Sequence, residues 1–277
     1  MLSRRLPLVV FVQPSPMLLL AGLGMMAIGL LPIIYWHRKT GAAWKVFGIG
    51  AVSWLSAILA KAVMDIYLTS SVATYLQTFG AVSSSAALGV YFGVRTGIFE
   101  NGFSFMWARR MQLRRSSFDE AVAFGIGFAG VEALGLGLSS FLNILLILIY
   151  PSLMTQLPSS TLELLSAQFS LGPVIVGAPI IERCSTLLIH SFAATLVFAT
   201  LNGNGWKFFW GAVAYKSIVD GVIPSLNLFL SSSTLSGLYF AELPFVLLAL
   251  MGYLGMTRLR DNEVLTRTKG PQLRESA

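Results

Sequence analysis

The chain is poor in the residues that most metal and redox chemistry requires. Among its 277 residues there is one cysteine, Cys184, so no intrachain disulfide can form. There is no CxxC pair and no HExxH helix, which removes the commonest thiolate and zincin sites. The only two histidines, His37 and His190, are too few for an all-histidine metal site. Charge is scarce as well: 11% of residues are Asp, Glu, Lys or Arg, against about 25% in a soluble domain. The formal net charge of +7 does not point to nucleic acid, because the basic residues fall in short clusters between apolar blocks.

What is present is hydrocarbon in long runs, with a mean hydropathy of +0.75. Unbroken apolar blocks of about 20 residues read as membrane-spanning helices rather than amphipathic ones. Seven such segments are expected, at 17–36, 46–68, 72–108, 119–150, 172–201, 207–230 and 236–257. The fold class that follows is an all-α, polytopic helical bundle in a cell membrane, with the lipid bilayer as its first partner. Residues 1–16 form an uncleaved lead-in, 17–257 one transmembrane domain, and 258–277 a basic tail.

Orientation follows from the distribution of Lys and Arg. Thirteen of the nineteen lie in 37–45, 109–117, 202–207 and the tail from 258, while 69–71, 151–171 and 231–235 contain none. That bias places the N-terminus outside and the C-terminus in the cytoplasm, with Arg4 and Arg5 dissenting. The segment 72–108 would run roughly 55 Å as one helix, against a hydrocarbon core about 30 Å thick. A break is therefore expected at "GVRTG", residues 93–97.

Ionisable groups inside apolar segments need partners or a wet cavity, since each costs about 2.5–3.5 kcal/mol or more at the bilayer centre. Lys61 and Asp65, and likewise Lys216 and Asp220, are spaced i, i+4 and are expected to pair locally. Glu242 lies near a helix end, within reach of water. Glu132 differs, because no basic residue lies within a turn of it on its own helix. Gly125, Gly127, Gly130, Gly135 and Gly137 around it permit close helix approach. Arg183 and His190, seven apart, share a helix face, and Glu182 is rotated from His190 by about 80°. A buried carboxylate near a histidine suits a general base or a metal ligand.

These residues occur in an order that resembles the YhfC group of intramembrane metalloproteases, related to PrsW-type proteases and more distantly to CAAX prenyl endopeptidases. The resemblance covers roughly residues 25–225, beginning with the basic, tryptophan-containing loop "HRKTGAAWKVFGIGA". In "GIFENGFSFMWARR", Glu100 matches the first glutamate of F-E-E-x-x-R, with Asn101 and Ser104 in place of the second glutamate and the arginine. "GIGFAGVEA" keeps Glu132 and carries Phe128 at a histidine position. Glu182, Arg183 and His190 keep the third motif. "YKSIVDG" keeps Asp220 and has Lys216 where histidine is expected.

The resemblance implies an intramembrane protease acting on membrane proteins or peptides. Glu132, Glu100 and His190 would be its catalytic residues, supported by Asn101, Glu182, Arg183, Lys216 and Asp220. It also implies zinc, held by His190 and Glu132. One histidine with carboxylates is a poor zinc set, so the sequence makes no cofactor certain. Two other classes stay open: a pseudoprotease acting as a binding or scaffold protein, favoured by the missing histidines, and a small transporter, which no internal repeat supports.

Overall fold

The computed structural model describes residues 12–113, 116–262 and 264–265. Arg4, Arg5, Arg114, Arg115, most of the expected lead-in and the tail from 266 lie outside the described residues. Among the described residues the chain is all helix, with no strand. After a 3-10 turn at Pro16–Leu18, α1 spans Leu19–Thr40 and stops at Gly41, whose φ of 72° supplies the left-handed cap. The next helix, α2 (Trp44–Met64), continues through a π-helical turn at Asp65–Thr69 into α3 (Ser70–Leu76). Then come α4 (Ala81–Arg110) and α5 (Phe118–Ile149). Ser117 and Glu120 start α5 with a reciprocal capping box. The short α6 (Ser159–Ser170) precedes α7 (Gly177–Leu201), α8 (Trp206–Gly221), α9 (Ile223–Phe229) and α10 (Leu235–Asp261).

Five of the seven expected apolar segments each correspond to a helix or a pair of helices, but no loop separates 46–68 from 72–108. The helix runs through 69–71 as one stretch, Trp44–Phe79, and the break falls inside the later segment. Five helical stretches are long and apolar enough to cross a membrane among the described residues: Pro16–Thr40, Trp44–Phe79, Phe118–Ile149, Gly172–Leu201 and Leu235–Asp261. The α4 and α8 segments fall outside that group. They carry Arg95, Glu100, Lys216 and Asp220 of the polar interior. Large apolar side chains such as Leu59, Tyr67, Val90 and Phe240 are exposed around the bundle, as a lipid-facing surface requires.

The expected break at 93–97 is not there. Helix α4 runs unbroken through it, and the interruption falls earlier, at Gly80, where φ is 84°. The glycines of 93–98 serve packing instead. Gly89, Gly93 and Gly97, spaced by four, face the backbone of α8 at Gly221, Ser217 and Val213, where a Cβ would collide with main-chain carbonyls.

At the centre stands α5, packed on α1, α2 and α7, with every residue from Ala121 to Gly130 buried. Close approach to α1 depends on paired glycines. A methyl group on Gly22 would sit 2.7 Å from the Gly137 carbonyl oxygen, and one on Gly130 would sit 2.8 Å from that of Gly29. Gly125 meets α7 at Ser191 and Gly127 meets α2 at Phe47, whereas Gly135 faces open space. The packing role expected of these glycines therefore holds at four of the five positions.

The ends of α1, α7 and α10 and the starts of α5 and α8 meet at one end of the bundle. Trp36 Nε1 donates to the Asp119 carbonyl, Asn202 to that of Ser116, and Asn204 to that of Val264. Arg38, Lys39, Arg109, Lys207 and Arg258 cluster near it, so it is the basic end.

Candidate active site

Counting about 1.5 Å per residue from the basic end, Glu100 on α4, His190 on α7 and Lys216 on α8 all lie roughly 15 Å deep, and Glu132 on α5 about 21 Å. Four helices thus deliver ionisable groups to one level near the middle of the bundle. Glu100 is the hub. Its carboxylate takes Lys61 Nζ at 2.7 Å on Oε1 and Lys216 Nζ at 2.5 Å on Oε2. Lys216 Nζ also lies 2.8 Å from His190 Nδ1, and His190 Nε2 lies 2.8 Å from Glu132 Oε2. Arg183 closes the chain on the far side, 2.9 Å from Glu132 Oε1 and bonded to Glu182 beside it. Asp220 accepts from Thr96 and lies 4.0 Å from Lys61.

Among the carboxylates, exposure rises away from the basic end, while the cations Lys61 and Arg183 stay buried. The side chains of Glu100, His190 and Lys216 are 7%, 5% and 3% exposed, against 19% for Glu132, 29% for Asp220 and 32% for Glu182. The polar interior therefore has a dry floor, and Glu132, Asp220 and Glu182 are its more exposed carboxylates. On the floor is a cavity of about 10 Å³ lined by Glu100, Asn101, Ser104, His190 and Lys216, among others. That is room for a single water with several polar partners. Glu100 Oε2 and Glu132 Oε2 are buried without an aligned hydrogen bond, because their lysine and histidine neighbours are near in distance but off axis.

All eight residues singled out from the sequence lie in or beside this centre, with different attachments. Asn101 lines the cavity but commits its Nδ2 to the Gly97 carbonyl of its own helix at 2.8 Å. Both local pairs expected from i, i+4 spacing are corrected. Lys61 is buried and pairs with Glu100, while Asp65 is exposed and binds Arg95 of α4; Lys216 turns to Glu100 and His190 and leaves Asp220 to Thr96. A buried ammonium gains more from a carboxylate sealed with it than from a more exposed one on its own helix. Glu242 is partly buried, with Oε2 unpaired.

Sequence reasoning missed Lys61 and Phe128 as parts of the centre. The Phe128 ring lies 4.7 Å from the His190 ring, tilted by 34°, and Lys216 Nζ is 5.7 Å from the Phe128 ring centroid. A partner on another helix leaves no trace in local spacing, so Lys61, conspicuous as a charge in an apolar segment, is assigned to Asp65 by spacing instead of to Glu100.

The residues present do not fit zinc. Among the described residues no group of three or more His, Cys, Asp or Glu is arranged to hold a metal. His190 has no nitrogen to give: Nδ1 accepts from the Lys216 ammonium, and Nε2 then carries the proton, 2.8 Å from Glu132 Oε2 but not aligned on it, a tautomer assigned from its partners.

The sequence profile of the YhfC intramembrane metalloprotease family matches residues 24–239. An uncharacterized membrane protein YhfC of Bacillus subtilis (strain 168) is 32% identical over 118 residues, covering 42% of this chain and 44% of that protein. No solved structure matches the chain.

Proposed function

This chain belongs to the YhfC intramembrane metalloprotease family, and from that premise we propose that its polar centre hydrolyses peptide bonds of membrane-associated substrates. The observation that carries this reading is the Glu132–His190 contact of 2.8 Å at mid-depth, where the carboxylate is the more exposed partner. Buried ion pairs are weak devices for stability, since apolar residues of similar volume often serve as well. Three cations, four carboxylates and a histidine gathered in one membrane-embedded interior therefore argue for use.

In this reading Glu132 takes a proton from water as the water attacks the scissile carbonyl. The oxyanion that develops is faced by the His190 Nε2–H, with the Lys216 ammonium behind it. Glu132 then passes its proton to the leaving amine. Glu100 does not touch substrate; it holds Lys216 and Lys61 in place.

The test is cleavage of a quenched transmembrane peptide set in proteoliposomes. Glu132→Gln loses about 10²–10⁴-fold in rate, the usual range for a general base, measured at a temperature where circular dichroism shows the variant folded. Unchanged cleavage in that variant removes Glu132 from the base role.

A second reading, a non-catalytic binding protein, is favoured by one observation: the enclosed cavity holds no more than about 10 Å³ and each inner carboxylate already has a cationic partner. A Glu132→Gln, His190→Ala double variant that complements a deletion strain as well as wild type decides for it. Seven crossings, with the basic end in the cytoplasm, belong to the same proposal.

A further inference from the structure

We propose that the Lys216 ammonium is a built-in replacement for a metal ion: this centre works, or binds, with a covalently fixed cation and has no affinity for zinc. The geometry is specific. Three side chains from three helices, Phe128 of α5, His190 of α7 and Lys216 of α8, meet at one point on the floor of the interior. Lys216 Nζ stands between two groups that would otherwise ligate a cation, Glu100 Oε2 at 2.5 Å and His190 Nδ1 at 2.8 Å.

Charge counting agrees with the placement. The two inner carboxylates, Glu100 and Glu132, already face three cations, Lys61, Lys216 and Arg183. A divalent ion added there would meet an excess of positive charge where the dielectric is low. The donor set points the same way: Nδ1 of His190 is taken by Lys216, which leaves the proton on Nε2, and Phe128 places an apolar ring where a third ligand could stand. An ammonium also differs from zinc in kind. It can donate hydrogen bonds to a carbonyl oxygen but cannot lower the pKa of a bound water as a Lewis acid does, so proton removal falls to Glu132.

This inference goes beyond the hydrolase reading and does not rest on it, because its test reads metal and not turnover. The protein is purified in detergent without chelator, incubated with zinc, desalted and assayed for metal content and for a zinc-induced rise in melting temperature. Wild type is expected to retain no zinc and show no shift. The double substitution Phe128→His, Lys216→His places three imidazoles around the same point, and that variant is expected to gain stoichiometric zinc and a higher melting temperature. Adding His190→Ala should abolish both. Stoichiometric zinc in wild type, lost on His190→Ala, overturns the proposal, and this comparison stands even if the double variant does not fold. A folded double variant that binds no zinc also overturns it, since Lys216 would then not occupy a position from which a metal can be held.

Discussion

Glu100 lies between two ammonium groups, so each lysine is held by a carboxylate and each loss is felt by the remaining partners. Removing one member of a buried pair strands the other, an effect of about 3–5 kcal/mol. Lys61→Met leaves Glu100 with Lys216, and the low end, about 3 kcal/mol, is expected. Asp65 is 49% exposed, although the Arg95 side chain it binds is 10% exposed. Asp65→Asn should therefore cost less than Lys61→Met, about 1–2 kcal/mol, toward the low end for a lost hydrogen bond to a charged group. Thermal unfolding in detergent separates the two; equal losses would contradict the division into a dry floor and a more exposed rim. The same residues mark the limit of local sequence reading. The spacing of Lys61 and Asp65 is real and their helix continuous, yet the lysine's partner sits thirty-nine positions away on α4. By contrast Glu132 was conspicuous because nothing nearby could neutralise it, and its counter-charge arrives from Arg183 of α7. Isolation was legible; partner choice was not.

At the scale of elements, glycine decides how near the polar groups can come. Lys216 reaches Glu100 because α4 and α8 touch backbone to backbone through Gly89, Gly93 and Gly97, and α5 lies against α2 at Gly127. Gly127→Ala drives a methyl into the Phe47 main chain, so α5 and α2 must separate; a loss of about 1–3 kcal/mol is expected, as for overpacking elsewhere. Gly135→Ala meets open space within 4 Å and is expected to be neutral or to gain up to about 1 kcal/mol from helix propensity. Melting temperatures of the two variants check this, and a destabilised Gly135→Ala would contradict the open face. The apolar segments and their helical state were legible because hydrocarbon length alone sets them. The break was misplaced because two kinds of glycine look alike in a sequence. Gly80, at φ 84°, ends a helix; Gly93 and Gly97, inside α4, admit a neighbour. Only the four-residue repeat at 89, 93 and 97 carries a hint of the difference.

For the whole molecule, the asymmetry of charge and the asymmetry of exposure run in opposite directions. The basic residues gather at one end of the bundle, whereas the interior carboxylates grow more exposed toward the other, from Glu100 through Glu132 to Glu182, with Lys61 and Arg183 buried among them. If the basic end faces the cytoplasm, as the positive-inside bias argues, the more exposed carboxylates lie away from it, and a substrate would enter from the opposite face. Single cysteines in a Cys184→Ser background test this at seven sites. Lys39, Arg110, Lys207 and Asp261 lie near the basic end; Ser71, Ser160 and Ser232 lie at the other. A membrane-impermeant maleimide applied to intact cells should label cysteine at Ser71, Ser160 and Ser232, and the remaining four only after permeabilisation. A reversed pattern would turn those carboxylates toward the cytoplasm and bring substrates from that side. Two successive sites with the same accessibility would remove the crossing between them, and with it the helix count on which the placement of Glu132 at mid-depth depends.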